Sequence, residues 1–177
     1  MSRRLALVAA CLAGLLAAPG ALAAPQHVGG GGGFWAQKEV EAVVAAGLMA
    51  PSVAEFRPND LLTGAELAEL LAGLAGGAEQ ASAADPAATV TLTQLDAALV
   101  RAAGLDRAAK TVQDGLAAAG LTPPPYAGTE TVARLLKLRL DHPQTDEALE
   151  VGPADPVSRA EAAYSVARLL EARASGW

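Results

Sequence analysis

The chain has 177 residues, a formal net charge of −6 and 52% hydrophobic residues, with only 3% aromatic residues and one cysteine. The acidic balance excludes a surface for nucleic acid or for anionic lipid, because both need an excess of lysine and arginine. A single cysteine cannot form an intrachain disulfide.

The first residues have the pattern of a secretory signal peptide. Two arginines precede an apolar run from Leu5 to Ala18, and the small residues of Ala21-Leu22-Ala23 suit a signal peptidase. We predict that residues 1–23 are removed and that the mature chain is secreted to the cell wall or cell surface. A transmembrane anchor is the alternative, but Pro19-Gly20 breaks the apolar run, which is short for a bilayer span.

The cysteine lies inside the predicted signal peptide. Val8-Ala9-Ala10-Cys11 looks like a lipobox, but too few apolar residues precede it. Signal cleavage therefore removes the thiol, which excludes thiolate catalysis and cysteine metal sites in the mature chain. Cleavage also removes two of the 13 basic residues, so that 11 basic and 19 acidic residues give a net charge of −8.

Three stretches of unusual amino-acid composition divide the rest of the chain. Five glycines, Gly29 to Gly33, predict a flexible tether, since no strand precedes them and no Gly-Lys-Ser/Thr follows. An Ala/Gly/Ser-rich stretch ends at Asp85-Pro86, and Pro123-Pro124-Pro125 forms a stiff junction. The predicted divisions are a signal peptide at 1–23, a linker at 24–33, a repeat at 34–75, a linker at 76–88, a degenerate repeat at 89–122 and a repeat at 126–174.

Between these stretches, apolar residues recur at helical spacing. Six stripes begin at Val40, Leu67, Leu92, Val112, Val132 and Ala163. Strict alternation of apolar and polar residues, the pattern of a β-strand, is nearly absent. The sequence therefore predicts an all-α protein with minimal strands. The many alanines add helix propensity and permit close approach of helices.

Two segments of the chain repeat each other. Residues 55–66 align without gaps onto residues 150–161, with Glu, Pro, Asp, Ala and Glu at matching places. A weaker third copy, residues 90–96, keeps a hydroxyl at Thr93 and an acid three residues later at Asp96. Each copy is followed by an apolar helix pattern, which predicts helix–loop–helix repeats.

The repeated segment predicts the start of a helix. Thr63 with Glu66, and Ser158 with Glu161, fit the capping box. In this motif the hydroxyl accepts from the amide of the third helical residue, whose carboxylate in turn accepts from the capping amide. The Thr93 copy is a poorer box because aspartate is one methylene shorter than glutamate.

Phe34-Trp35 opens a predicted helix that Val43–Leu48 closes, and Phe56–Asp60 and Leu62–Glu66 follow. This order and spacing resemble one full repeat of the S-layer homology (SLH) domain. Residues 153–164 resemble the second half of another repeat, with Ser-Arg-Ala-Glu in place of the family's Thr-Arg-Ala-Glu.

The resemblance covers most of the predicted mature chain, although the part from Thr89 to Leu140 matches only in pattern. It implies a pseudo-threefold bundle of three helix–loop–helix units. In the family, grooves between units hold a secondary cell-wall polysaccharide, often bearing acidic pyruvyl groups, and so fix the protein noncovalently to the envelope. The family's ligand-contacting arginine and aromatic residue correspond to Arg159 and Trp35.

The residues themselves also favour Arg159 as a ligand contact. It follows the predicted cap, where free amides and the helix dipole favour an anion, and its planar guanidinium suits a carboxylate. Ser158 and Asp155 complete the predicted site. The alternatives are that Arg159 is a solvated residue paired with Asp155, and that Trp35 is a core residue.

The arginine is not repeated in the other units. By the sequence alignment its equivalents are Gly64 in the first unit and Gln94 in the degenerate one. At most one groove then keeps an arginine at this position, unless Arg57 takes its place in the first unit.

No catalytic pattern accompanies these features. His27 and His142 cannot build a zinc site, and no nucleophile elbow is present. The acids between Asp141 and Glu150 lack EF-hand spacing. We predict no enzyme activity, no metal and no cofactor. The main hypothesis is a module that anchors the protein to cell-wall polysaccharide; the alternative is an N-terminal targeting or interaction segment of a larger cell-wall hydrolase, without glycan binding of its own.

Overall fold

The computed structural model describes residues 34–76, 85–139 and 150–176. The predicted signal peptide, the glycine tether, His27 and His142 lie outside these ranges. The described residues form six α-helices and one short 3₁₀ helix at Val53–Glu55, with three isolated β-bridges and no strand. The helices are α1 (Gln37–Ala45), α2 (Gly64–Leu74), α3 (Leu92–Ala102), α4 (Asp106–Ala118), α5 (Ala127–Leu135) and α6 (Arg159–Ala174). The all-α prediction is confirmed.

Capping boxes start α2, α3 and α6. Those predicted at Thr63 and Ser158 are formed, with Glu66 and Glu161 as their respective partners. The third box lies two residues before the predicted one: Thr91 caps α3 and Gln94 completes the box.

The prediction of a box at Thr93 and Asp96 is therefore wrong. Thr93 lies inside the first turn of α3, and Asp96 is buried. The sequence alignment favoured Asp96 because it sought a carboxylate, but the Gln94 amide oxygen has the same reach and accepts from the Thr91 amide at 2.8 Å. This register makes Leu92, rather than Gln94, the equivalent of Arg159.

A closed ring of backbone hydrogen bonds joins the residues that precede the three caps. The Leu62 amide donates to the Val157 carbonyl, the Val157 amide to the Val90 carbonyl, and the Val90 amide to the Leu62 carbonyl, each at 2.9 Å. All three side chains are buried in the core. The ring gives the bundle its pseudo-threefold centre.

A second layer of bonds has the same symmetry. At the start of α6, the Arg159 amide donates to the Asp60 carbonyl at 2.8 Å and the Ala160 amide to the Pro58 carbonyl at 3.0 Å. Equivalent bonds run from Gly64 and Ala65 to Ala88 and Pro86, and from Leu92 and Thr93 to Asp155 and Pro153. Each helix start is thus completed by the loop of another unit. Pro86 and Ala88, which the sequence placed in a linker, belong to the loop of the second unit.

The other helices pack around this centre. α1 packs on α6, α5 packs on α3, and α4 pairs with α5. The α4–α5 pair is close because Gly128 is buried against α4, where an added Cβ would lie 2.1 Å from the Ala109 carbonyl oxygen. Within the described ranges, no helix is long and apolar enough to cross a membrane.

One arginine ties the far ends of the three capped helices. Arg173, in the last turn of α6, donates to the Leu74 carbonyl at 3.1 Å and to the Ala102 carbonyl at 2.7 Å. These carbonyls close α2 and α3, whose C-terminal ends favour a positive charge. Arg173 therefore holds together the end of the bundle opposite the ring.

Each of the six helices ends in the same left-handed turn. The residue after the C-cap has positive φ in every case: it is glycine after five helices and Lys137, with a φ of 57°, after α5. The Lys137 and Leu138 amides bond back to the Arg134 and Ala133 carbonyls, which is the Schellman pattern. Lysine carries a steric penalty in this conformation that glycine avoids.

Lys137→Gly should therefore raise the free energy of unfolding by about 0.5–1 kcal/mol, the steric relief minus the chain entropy of glycine. Chemical denaturation measures the effect. Lys110→Gly, the same substitution inside α4, is the matched control and should lower stability by about 1 kcal/mol. A destabilised Lys137→Gly would contradict the assigned strain.

A buried ion pair joins α3 to the turn after α5. The Arg139 Nε donates to Asp96 Oδ2 at 2.8 Å and Nη2 contacts the same oxygen, while Nη1 donates to Glu130 Oε1 at 2.8 Å. Asp96 and Arg139 are 1% and 7% exposed. Burial raises the pKa of Asp96, and the bond and charge of Arg139 offset this only in part.

Arg139→Met should cost about 3–5 kcal/mol, because it leaves a buried carboxylate without its cation. The double variant Asp96→Leu/Arg139→Met should recover most of that loss, since apolar replacement of a buried pair is often near neutral. Methionine already stands at the equivalent position after α1, at Met49. Denaturation of the four proteins of the cycle measures the coupling; additive losses would contradict it.

Candidate ligand groove

A groove of about 320 Å³ opens where the start of α6 meets the first unit. Its walls come from the turn after α1, the loop before α2, the first turns of α2, and α6. The lining residues are Met49, Ala50, Pro51, Glu55, Arg57, Glu66, Glu69 and Arg159.

Arg159 forms the floor of the groove and is only 3% exposed. Its Nε donates to the Phe56 carbonyl at 2.7 Å, its Nη2 donates to the Met49 carbonyl at 2.6 Å, and its Nη1 contacts Glu66 Oε1. The guanidinium also lies 5.0 Å from the centroid of the Phe56 ring, in cation–π geometry. The alternative of a solvated Arg159 paired with Asp155 is therefore wrong, because the side chain crosses into the first unit.

Glu66 serves the cap and the groove at once. Its Oε2 accepts from the Thr63 amide and hydroxyl, both at 2.9 Å, and its Oε1 faces Arg159 and, at 3.4 Å, Arg57 Nη2. Arg57 also donates to Asp60 at 2.9 Å. One carboxylate thus fixes the start of α2 and orients both arginines of the groove.

The balance of these contacts lowers the pKa of Glu66. Burial by itself raises that pKa, but the hydrogen bonds from Thr63 and the charges of Arg159 and Arg57 outweigh it. The folded protein therefore binds the Glu66 proton less tightly than the unfolded chain, and ionised Glu66 stabilises the fold at neutral pH.

Two groove residues have a strained backbone. Met49 and Arg57 have φ values of 64° and 54°, in the left-handed region that non-glycine residues rarely adopt. Apart from Lys137, they are the non-glycine residues with positive φ in the described ranges. Strain of this kind concentrates at functional sites, where the surrounding structure enforces it. At Met49 it aims the backbone carbonyl at Arg159.

The groove unites two of the predicted ligand residues, Arg159 and Arg57. Trp35 is outside its lining and contacts Tyr164 of α6, with ring centroids 6.3 Å apart. The exposed Asp155 accepts from the Gly152 amide, and Ser158 is a buried cap. Neither of these two lines the groove.

The free amides predicted beside Arg159 are absent. The Arg159 and Ala160 amides bond to loop carbonyls of the first unit, and the Glu161 amide donates to Ser158 Oγ at 3.2 Å. The backbone amides of this helix start therefore cannot serve as free anion-binding donors, because the neighbouring loop and the cap already satisfy them.

Sequence reasoning missed the acidic wall of the groove. Glu55 and Glu69 line it and are exposed, and Ser52 Oγ donates to Glu55 at 2.8 Å. Glu69 lies three residues after the cap partner Glu66, one turn further along α2. That spacing was visible in the sequence, but the proximity of Glu55 depends on the fold of the loop. In the described part of the chain no group of three or more His, Cys, Asp or Glu residues could hold a metal ion.

Comparison with protein families matches residues 27–68 to the S-layer homology domain. The chain carries one SLH domain. The matched segment runs from the predicted tether through α1 and the groove loop into the first turns of α2. The predicted resemblance is thus confirmed for the first unit. An SLH domain is non-catalytic and implies anchoring at the cell surface through cell-wall polysaccharide. Comparison with curated proteins found no match.

The lowered pKa of Glu66 predicts acid sensitivity. The stabilisation from its ionised form is complete above its ordinary pKa of 4.5 and is lost as pH falls through the lower folded value. The difference in unfolding free energy between the wild type and Glu66→Gln should therefore shrink steadily below about pH 4.5.

Urea denaturation across acidic pH measures this difference. Glu41→Gln, an exposed position on α1 outside the groove, is the control and should show a smaller pH-dependent difference from the wild type. A gap between wild type and Glu66→Gln that stays constant on acidification would show that the carboxylate charge does not stabilise the fold.

Proposed function

We propose that the protein is a secreted, non-catalytic module that anchors itself noncovalently to a secondary cell-wall polysaccharide through the groove at Arg159. The observation that carries the proposal is that the SLH segment and Arg159 of α6 line one groove together. Hydrogen bonds from Arg159 to the SLH segment hold the two sides of this groove in place. Arg57 offers donors to sugar oxygens, Glu55 and Glu69 offer acceptors, and the buried Arg159 forms the floor on which these groups are arranged.

Three further features support a groove built for a ligand. The buried guanidinium is held by two carbonyls and a carboxylate, so its direction is fixed before a ligand arrives. The strained residues Met49 and Arg57 both lie on its walls. The remaining donor of the pair, Arg57, has a side chain that is 63% exposed and can meet a ligand from solvent.

The corresponding contact between units, that of α5 with α3, has no arginine at the equivalent position. Leu92 stands at the first position of α3, where α6 has Arg159, and Arg139 turns inward to Asp96. We therefore assign polysaccharide binding to the groove at Arg159. Trp35 and Tyr164 form a separate aromatic pair that supports the contact of α1 with α6.

A pull-down with purified sacculi tests this function. The full chain should sediment with sacculi that retain their polysaccharide and stay in solution after the polysaccharide has been stripped by acid. Sedimentation that survives stripping would contradict polysaccharide anchoring. Absence of sedimentation with both preparations would favour the targeting or interaction segment instead.

Arg57→Gln should weaken retention about tenfold, which corresponds to ~1.4 kcal/mol, because it removes an exposed donor without emptying the core. Arg107→Gln, an exposed arginine on α4, makes the same charge change outside the groove and should retain normal binding. Melting curves establish that both variants fold. Equal retention of the two variants would contradict the assignment of polysaccharide binding to this groove.

A further inference from the structure

Glu66 lies between the two arginines of the groove. Its Oε1 contacts Arg159 Nη1 and lies 3.4 Å from Arg57 Nη2. Its Oε2 accepts from the Thr63 amide and hydroxyl, both at 2.9 Å. Glu66 also lines the groove, so a ligand that enters the groove meets the same carboxylate that both arginines contact.

The two arginine contacts of Glu66 differ in strength. Arg159 is 3% exposed, and the Phe56 and Met49 carbonyls hold its other donors, so this contact is fixed. The Arg57 side chain is 63% exposed, and its 3.4 Å separation from Glu66 is longer than the roughly 2.7–2.9 Å of a good charge-assisted hydrogen bond. Exposed ion pairs of this kind contribute little stability. A ligand can therefore replace Glu66 at Arg57 but not at Arg159.

The chemistry of Arg57 specifies the group that replaces Glu66. A guanidinium presents its donors in a planar fork that matches the two oxygens of a carboxylate. Arg57 already donates to one exposed carboxylate, Asp60, at 2.9 Å and is held at the groove wall by its left-handed backbone, with a φ of 54°. A carboxylate carried by a sugar is therefore the substituent that can take over the contact with Glu66.

We infer that Glu66 is an internal competitor for the ligand of the groove: when the groove is filled, a carboxylate of the polysaccharide replaces Glu66 at Arg57. Glu66 stays bonded to Arg159 and Thr63, so the floor of the groove and the start of α2 do not change. The inference rests on the proposed polysaccharide binding; it adds the class of the bound substituent and the residue that limits its affinity. A neutral sugar gains no ion pair from the exchange, so Glu66 also discriminates against it.

Glu66→Gln separates competition from helix capping. Glutamine keeps the oxygen that the cap requires, as Gln94 shows at the start of α3, where it accepts from the Thr91 amide at 2.8 Å. The variant should therefore fold with reduced stability, while Arg57 loses the competing charge. Affinity for the polysaccharide should rise as stability falls, which is the opposite of what the loss of a purely structural residue produces.

Calorimetric titration of the full chain with polysaccharide purified from the sacculi tests the inference. The polysaccharide is used in its native form and with its carboxylates amidated. Glu66→Gln should bind the native form about threefold to fivefold more tightly than the wild type, the gain expected when an exposed ion pair no longer has to be broken. The gain should vanish with the amidated form and in the double variant Glu66→Gln/Arg57→Gln.

Two control variants isolate the competition. Thr63→Ala removes the cap hydroxyl but keeps the carboxylate, and it should lower the melting temperature without tightening binding. Glu69→Gln removes the same charge from the same groove, but Glu69 forms no ion pair with either arginine, so its gain should be smaller and should persist with Arg57→Gln. Unchanged or weaker binding by folded Glu66→Gln would overturn the inference. An equal gain in Glu69→Gln, or a gain that survives amidation or loss of Arg57, would also overturn it.

The sacculus pull-down keeps the two proposals apart. Retention of the wild type on sacculi, together with equal binding of native and amidated polysaccharide, would overturn the inference and leave the anchoring function in place. Failure of the wild type to bind either sacculi or purified polysaccharide would contradict the anchoring function itself, and the inference with it.

Discussion

The ring of hydrogen bonds among Leu62, Val90 and Val157 is the constraint on which the rest of the bundle depends. A helix start leaves its first amides without intrahelical partners. Here capping side chains satisfy one amide per helix, and loops of the neighbouring unit satisfy two more. No unit can therefore complete its own helix start, and the three units must assemble to bury these donors with partners.

This arrangement also positions the groove. The Arg159 amide is anchored to the Asp60 carbonyl, so the side chain enters the first unit and meets the Phe56 and Met49 carbonyls and Glu66. Since Glu66 is itself the cap partner of Thr63, the same carboxylate sets the start of α2 and the direction of the guanidinium. The left-handed conformation of Met49 completes the contact. The SLH segment and the third unit thus make one site together.

The contact of α1 with α6 and the contact of α5 with α3 place their arginines differently. At the joint of α1 with α6, an arginine reaches out from the first position of the capped helix. At the joint of α5 with α3, Leu92 occupies that position and Arg139 enters from the opposite side to meet the buried Asp96. The first arrangement leaves a polar groove, whereas the second directs its charges into the core. Divergence of the repeats therefore left a polar groove at the contact of α1 with α6 and a buried ion pair at the contact of α5 with α3, while the backbone ring stayed the same.

The sequence by itself determined the helices, the caps at Thr63 and Ser158, and the SLH segment, because periodicity and capping act over a few neighbouring residues. It also pointed to Arg159 and Arg57. Local pattern failed at α3, where Gln94 replaced the expected acid, and at the start of α6, where the predicted free amides are bonded. Tertiary structure alone decided the pairing of Arg159 with Glu66, the burial of Asp96 with Arg139, and the acidic wall of the groove. These features join residues 43 to 93 positions apart, or depend on the conformation of a loop. Sequence spacing carries no information about which loop will satisfy a given helix start, since that choice is made by the closed ring of hydrogen bonds.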